Sequence, residues 1–242
     1  MADPIAIVHE DDSCIVVYKP AGLLVHRTRL DAGENDALVQ RLREQLGYFV
    51  YPVHRLDKPT AGLTLLAKSP DAAATYSMAF RDGLVEKHYL AIVRGWVQGV
   101  GVVDYPLLPE VIGRTRRKPV VHQDAVSHFS ALEHFELPVP VGRYQSARFS
   151  LIDLRPLTGR RHQLRRHMAH LRHPIIGDTR HGDGVQNRHF EDRWGVRRLM
   201  LVAVSLGLPE AGNRPKLDLK VEPDPHFCEI LAGIRSGMPN LD

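Results

Sequence analysis

The chain of 242 residues has only two cysteines, Cys14 and Cys228, near its opposite ends. A chain of this length buries a sizeable core without covalent staples, so a disulfide-built mini-protein is excluded and both thiols are expected to stay reduced. No run of about 18 uncharged apolar residues exists, which excludes a membrane-spanning helix. The opening Met1-Ala2-Asp3-Pro4 puts an acid and a proline where a leader peptide carries positive charge and an apolar stretch, so a cytoplasmic protein with no membrane partner is expected. Also missing are the glycine-rich phosphate loops, a Gly-x-Ser-x-Gly elbow, a His-Glu-x-x-His run and paired Cys-x-x-Cys. Their absence disfavours nucleotide cofactors, serine hydrolysis and zinc. Chemistry would then rest on carboxylate, phenol and guanidinium groups, with no cofactor and no metal.

One further absence is local. Between Asp153 and Asp178 there is no acid, while Arg155, Arg160, Arg161, Arg165, Arg166 and Arg172 all fall there. The chain holds 32 basic and 28 acidic residues, and outside those six arginines the balance is 26 against 28. The basic excess is therefore confined to one stretch, which His162, His167, His170 and His173 share. Such a stretch is either a solvated helix face or a surface for a polyanion, of which nucleic acid is the commonest. A second basic cluster runs from Arg114 to Lys118.

Short apolar runs alternate with turn signals along the first part of the chain. Residues 5–8 and 14–18 flank Glu10-Asp11-Asp12-Ser13 and predict a hairpin. Leu38, Leu42 and Leu46 predict a helix over 36–46, capped by Asn35 or Asp36 and stopped by Gly47. Leu63 to Ala67 reads as a buried strand. Ser69-Pro70-Asp71 starts a helix running to about Asp82, and 85–93 returns as a strand. The proline-rich stretch 95–142 reads as short strands and loops, 148–154 and 198–208 as strands, and the tail as short elements. This mixture, without strict alternation, indicates an α+β class with a largely antiparallel sheet. A single domain over 1–242 is expected, with two subdomains at roughly 1–98 and 99–235.

A basic helix is predicted over about 160–171. At about 100° per residue, Leu164, Met168 and Leu171 face the core, with Arg161, Arg165 and Arg172 at the rim. Arg166, His162, His170 and His173 lie farther round. An arginine at a core boundary needs an acid, because an unpaired buried charge costs several kcal/mol.

The densest constellation is His54-Arg55-Leu56-Asp57-Lys58-Pro59-Thr60-Ala61-Gly62-Leu63. On its own, an Asp beside Pro and Thr is as well explained by turn chemistry. The run resembles the signature of the RluA family of RNA pseudouridine synthases. Thr158-Gly159-Arg160-Arg161-His162-Gln163-Leu164-Arg165, with His173-Pro174-Ile175-Ile176-Gly177-Asp178 beyond it, is similar to that family's second signature. Tyr18 to Gly22 and Lys87 to Val93 resemble two more of its blocks, in the family's order. The run from Arg160 to Asp183 is most similar to members that modify a uridine, at position 65, in the acceptor/T-stem region of tRNA.

The resemblance implies a pseudouridine synthase fold, with a mostly antiparallel central sheet, flanking helices and a central catalytic cleft, acting as a cofactor-free monomer on RNA. It implies that Asp57 is the catalytic aspartate, Tyr89 the active-site tyrosine and Arg165 the basic partner of that aspartate, while Arg55 fills the stack when the target base leaves. Tyr89 then acts as a base toward C5 or as a stacking wall. Arg160, Arg161 and Arg166 contact phosphate or merely solvate the helix. His162 and Gln163 hold the loop's backbone or touch RNA. Ribosomal RNA is the alternative substrate, and a non-catalytic RNA-binding protein the alternative of another class. The sequence departs from the family at Ala61, where Ser is commoner, and at Val202, where His often stands. No S4-like domain is expected before residue 54, because the first fifty residues already match the family's core.

Overall fold

The computed structural model describes residues 3–26, 36–110, 121–210 and 216–237. In chain order its elements are β1 (Ala6–Glu10), β2 (Cys14–Lys19), α1 (Leu38–Leu46), β3 (Tyr51–Pro52), β4 (Ala61–Ala67), α2 (Pro70–Arg81), β5 (Glu86–Arg94), β6 (Val100–Asp104), β7 (Val126–Leu137), β8 (Ala147–Pro156), α3 (Gln163–His170), α4 (Gly184–Trp194), β9 (Leu201–Leu208), β10 (Leu217–Lys220) and α5 (Pro225–Ser236). The class is α+β and the strand pairing mostly antiparallel, as expected. The chain forms two compact units, Met1–Lys87 with Val202–Asp224, and His88–Leu201 with Pro225–Asp242.

In the first unit the strand order is β1-β2-β4-β9, with β3 on β4 and β10 on β9. Strand alternation sorts the side chains of β2 onto two faces. Ile15 and Val17 pack with Leu38 and Leu42 of α1, while Cys14 and Val16 pack with Leu65 of β4 and Tyr76 of α2. Every residue of β4 is buried, which explains its apolar composition, interrupted only by Thr64. Its one parallel partner is β9, with Ala61 opposite Val202 and Gly62 opposite Ala203. Gly62 has φ +111°, and a Cβ there would lie 2.2 Å from the Ala203 carbonyl oxygen. Only glycine lets the two backbones approach so closely. Val202 is fully buried in this pairing, an apolar position where the family's His would need a polar partner.

The helices of this unit follow their start and stop signals. Ser69 caps α2 by accepting from the Ala72 N–H at 3.2 Å, with Pro70 in the first turn. Gly47 ends α1 in the left-handed conformation. The expected cap at Asp36 is corrected: Ala37 holds the N-cap position without a side-chain bond, and Asp36 pairs with Arg41 instead.

In the second unit the order is β5-β8-β7-β6, antiparallel throughout. The reading of 95–142 as short strands and loops is corrected by the twelve residues of β7. Pro138 and Pro140 fall in the β7–β8 connection rather than within either strand, so they break no ladder. Ala91 and Val93 of β5, Ile152 and Leu154 of β8, and Leu164 and Met168 of α3 form one core, with Tyr89 and Leu171 against it. The tail is a continuous helix, α5, with Phe227, Ile230, Leu231 and Ile234 buried on one face. The second unit also holds α4, capped by Asp183 through the Val185 and Gln186 N–H groups.

The segment entering the Asp57 loop is anchored by His54. Its ring stacks on Phe80 at 4.2 Å, and Nε2 accepts from the Leu65 N–H at 2.9 Å. That bond fixes the proton of the neutral ring on Nδ1. Burial, helped by the Lys87 ammonium, pushes the pKa down to about 3. Between pH about 6.5 and about 3 the unfolded chain therefore binds a proton that the folded chain refuses, and acidification through that window removes stability. His54→Ala leaves the Leu65 N–H without its acceptor and is expected to cost about 1–3 kcal/mol. Denaturant unfolding of the two proteins at several pH values should show that loss, and a shallower acid slope in the variant.

Candidate active site

Asp57 sits on the loop joining β3 to β4, partly buried, with the buried Leu56 before it and the buried Thr60 after it. The Asp57 carbonyl accepts from the Thr60 N–H at 3.0 Å, closing a turn over Lys58-Pro59. The next carbonyl, that of Lys58, is held from the β2 end. Gly22 N–H donates to it at 2.8 Å and the Lys19 ammonium at 3.2 Å. Lys19 is fully buried and also donates to the Pro20 and Leu23 carbonyls, at 3.0 and 2.8 Å. One ammonium thus gathers three carbonyls and fixes the backbone beside Asp57. Sequence reading singled out the block containing Lys19 but gave the lysine no role. Arg55, two residues before Asp57, is exposed.

In the second unit Tyr89 is half-buried on β5, opposite Leu154 of β8. Arg165 is not at a rim: only 5% of its surface is exposed. Its Nε and Nη2 donate to the two oxygens of Asp178, both at 2.8 Å, a bidentate fork. Asp178 also accepts from the Arg180 and His181 N–H groups, each at 2.9 Å. Burial pushes the Asp178 pKa up, but Arg165 and the two backbone donors pull it below its usual value, so it is a carboxylate. The acid demanded by the arginine is present in the same unit. A guanidinium has five N–H groups, so this fork leaves the group able to serve a second acceptor.

Asp178 is itself fixed. Gly177 has φ +76° and packs so tightly on the Arg198 carbonyl that a Cβ would lie 1.8 Å from its oxygen. Asn187 of α4 accepts from the Gly177 N–H at 2.8 Å and donates to the Asp178 carbonyl at 2.9 Å. This clamp was not anticipated, because no motif marks Asn187.

The predicted basic helix starts late. Residues 158–162 form a turn, and His162 stands at the N-cap of α3 with φ 53°, a left-handed conformation uncommon outside glycine. Gln163 holds the backbone, one of the two roles expected for it. Its Oε1 accepts from Thr158 Oγ1 and the Arg160 N–H, and its Nε2 donates to the Val126 carbonyl and Ser127 Oγ. Arg160 donates to the Asp124 carbonyl at 2.9 Å and Arg166 to the Leu108 carbonyl at 2.9 Å. Arg161 and His162 meet Glu110, at 3.1 and 3.3 Å. These four side chains converge on the two flanks of residues 111–120. The Arg114–Lys118 cluster lies outside the described residues.

Residues 13–170 match the family model for RNA pseudouridylate synthase. The chain is 46% identical over 203 residues to tRNA pseudouridine synthase C of Vibrio cholerae, covering 83% of each. It is 44% identical over 239 residues to the protein of that name from Salmonella typhimurium, covering 97% of this chain and 92% of the other. Among solved structures it resembles human RNA pseudouridylate synthase domain containing 4, with 27% identity, a TM-score of 0.70 and coverage of 95% and 93%. It also resembles human RNA pseudouridylate synthase domain containing 1, with 26% identity, a TM-score of 0.69 and coverage of 91% and 84%. With a family match spanning most of the chain and relatives aligned along nearly all of it, this protein is an isomerase that belongs to the RluA family of RNA pseudouridine synthases.

Proposed function

We propose that the protein converts one uridine of tRNA, in the acceptor/T-stem region at position 65, to pseudouridine, and that Asp57, Tyr89 and Arg165 carry the reaction. The observation that carries the substrate is the alignment, over most of the chain, with relatives named for tRNA. Isomerisation breaks the bond from uracil N1 to ribose C1′, turns the base and joins C5 to C1′. The proton on C5 is released and N1 gains one, so no atom is gained overall and no redox partner is required. A base in a duplex is out of reach, so the uridine is flipped into the protein at a cost of a few kcal/mol. Arg55, exposed beside Asp57, fills the gap left in the stack.

A carboxylate serves this reaction by adding to the sugar, by adding to the base ring or by promoting a glycal; each route needs Asp57 ionised and immobile. The brace from Lys19 and Gly22 supplies immobility at the neighbouring carbonyl. Arg165 is the fixed cation of the reaction, held by Asp178, and Asp178 and Asn187 act one step back as positioning residues. Tyr89 serves as base toward C5 or as the wall against which the uracil turns. Arg160, Arg161 and Arg166 present positive charge to the RNA backbone, and His162 lies beside them.

The test uses tRNA and ribosomal RNA transcripts carrying tritium at uracil C5. Release from tRNA, mapped to one position, is expected; release from ribosomal RNA alone would overturn the substrate, and release from neither would overturn the catalytic reading. Asp57→Asn should abolish release while RNA retention on filters is unchanged, and turnover by that variant would remove Asp57 from its role. Asp178→Asn should lower kcat about 10²-fold with little change in RNA affinity. It should also cost about 3–5 kcal/mol in urea unfolding, because a buried guanidinium loses its counter-charge.

A further inference from the structure

Glu110, His162 and His181 come together in the second unit, beside the Arg165–Asp178 fork, to which His181 is joined by its backbone N–H. His162 Nδ1 and His181 Nε2 are 3.0 Å apart, and Glu110 Oε1 lies 3.3 Å from the first and 3.5 Å from the second. The other carboxylate oxygen, Oε2, faces away from the imidazoles to Arg161 at 3.1 Å and Arg180 at 3.2 Å. All three central side chains are mostly buried.

Protons alone satisfy this triangle poorly. A neutral imidazole has one N–H, and a carboxylate oxygen only accepts. If His162 donates to His181, the lone pair of the latter is used, and Oε1 has no donor of its own from either ring. If both nitrogens carry protons toward Oε1, two N–H groups face each other at 3.0 Å.

A cation at the centre removes the conflict, because all three atoms can then offer lone pairs. Zinc bonds of about 2.0–2.1 Å to N and O, in tetrahedral geometry, put ligand atoms about 3.3–3.4 Å apart. The observed edges of 3.0, 3.3 and 3.5 Å bracket that spacing. The guanidiniums of Arg161 and Arg180 lie within ion-pair distance of Oε2 without hydrogen-bonding to it, so they hold the carboxylate by charge from its outer side. His162 joins the cluster from a left-handed backbone position, at φ 53°.

We propose that Glu110, His162 and His181 form a zinc-type divalent cation site with a fourth position open to water. The ion clips the 107–110 segment to the start of α3 and to the loop after Asp178, steadying Arg161 and Arg180. This differs from the sequence expectation of no metal because only His162 belongs to the basic run; its partners come from outside it. A second cluster, His9, Asp11 and Cys14, is a weaker candidate, since Asp11 Oδ1 already accepts from the Ser13 and Cys14 N–H groups.

The full chain, stripped with a chelator, is titrated with zinc by calorimetry and with cobalt by visible absorption. One zinc per chain, a strong four-coordinate cobalt spectrum and a zinc-dependent rise in Tm are expected. Glu110→Gln, which preserves shape, and His181→Ala should each weaken zinc at least ten-fold and abolish the rise, while Cys14→Ser changes nothing. A wild-type chain that binds no zinc overturns the proposal, as does zinc binding that survives His181→Ala or is lost in Cys14→Ser.

Discussion

A guanidinium removed from water costs several kcal/mol unless a charge of opposite sign meets it with good geometry. Arg165 meets that condition through one residue, and the second unit is arranged around keeping Asp178 where it is needed. Gly177 lets the chain pass against the Arg198 carbonyl, and the Asn187 amide holds the peptide on either side of the carboxylate. The N–H groups of Arg180 and His181 both donate to its Oδ1. Each of these contacts would be dispensable for a surface ion pair. Together they convert a flexible pair of side chains into a fixed cation.

The first unit meets the matching demand with different means. Asp57 lies on a loop, where conformational freedom is the default, and a loop that carries chemistry must be held by its surroundings. Lys19 does this as a buried ammonium whose partners are carbonyl oxygens, and His54 does it as a partly buried neutral imidazole. In both cases a residue type usually associated with charge or catalysis serves the backbone.

Much of this was legible in the sequence wherever the deciding interaction is local. The α2 start at Ser69-Pro70, the Gly47 stop and the apolar faces of α3 and β4 all depend on neighbours within a few residues. The buried position of Arg165 was not legible, because a helical wheel contains no information about an acid thirteen residues further on. Asn187 was missed as a clamp for the same reason, and although Gln163 was expected to hold the backbone or touch RNA, its partner, the Val126 carbonyl, is too remote in the chain to be read. The late start of α3 was hidden because His162 adopts a conformation that glycine would have announced. The helix α4 did carry a signal, with Gln186, Phe190 and Trp194 buried at four-residue intervals, but two of its turns are otherwise polar.

The parallel pairing of β4 with β9 has a consequence for how the chain acquires its structure. Ala61 leaves the ribosome long before Val202, its partner. At a synthesis rate of about 5–20 residues per second, the wait is on the order of ten seconds. Throughout that interval a strand that ends wholly buried has one edge without its native neighbour, the circumstance in which strands pair wrongly. The loop bearing Asp57 runs directly into that strand. Its final shape is therefore set late in biosynthesis, when a segment from the far end of the chain arrives to lie against Gly62.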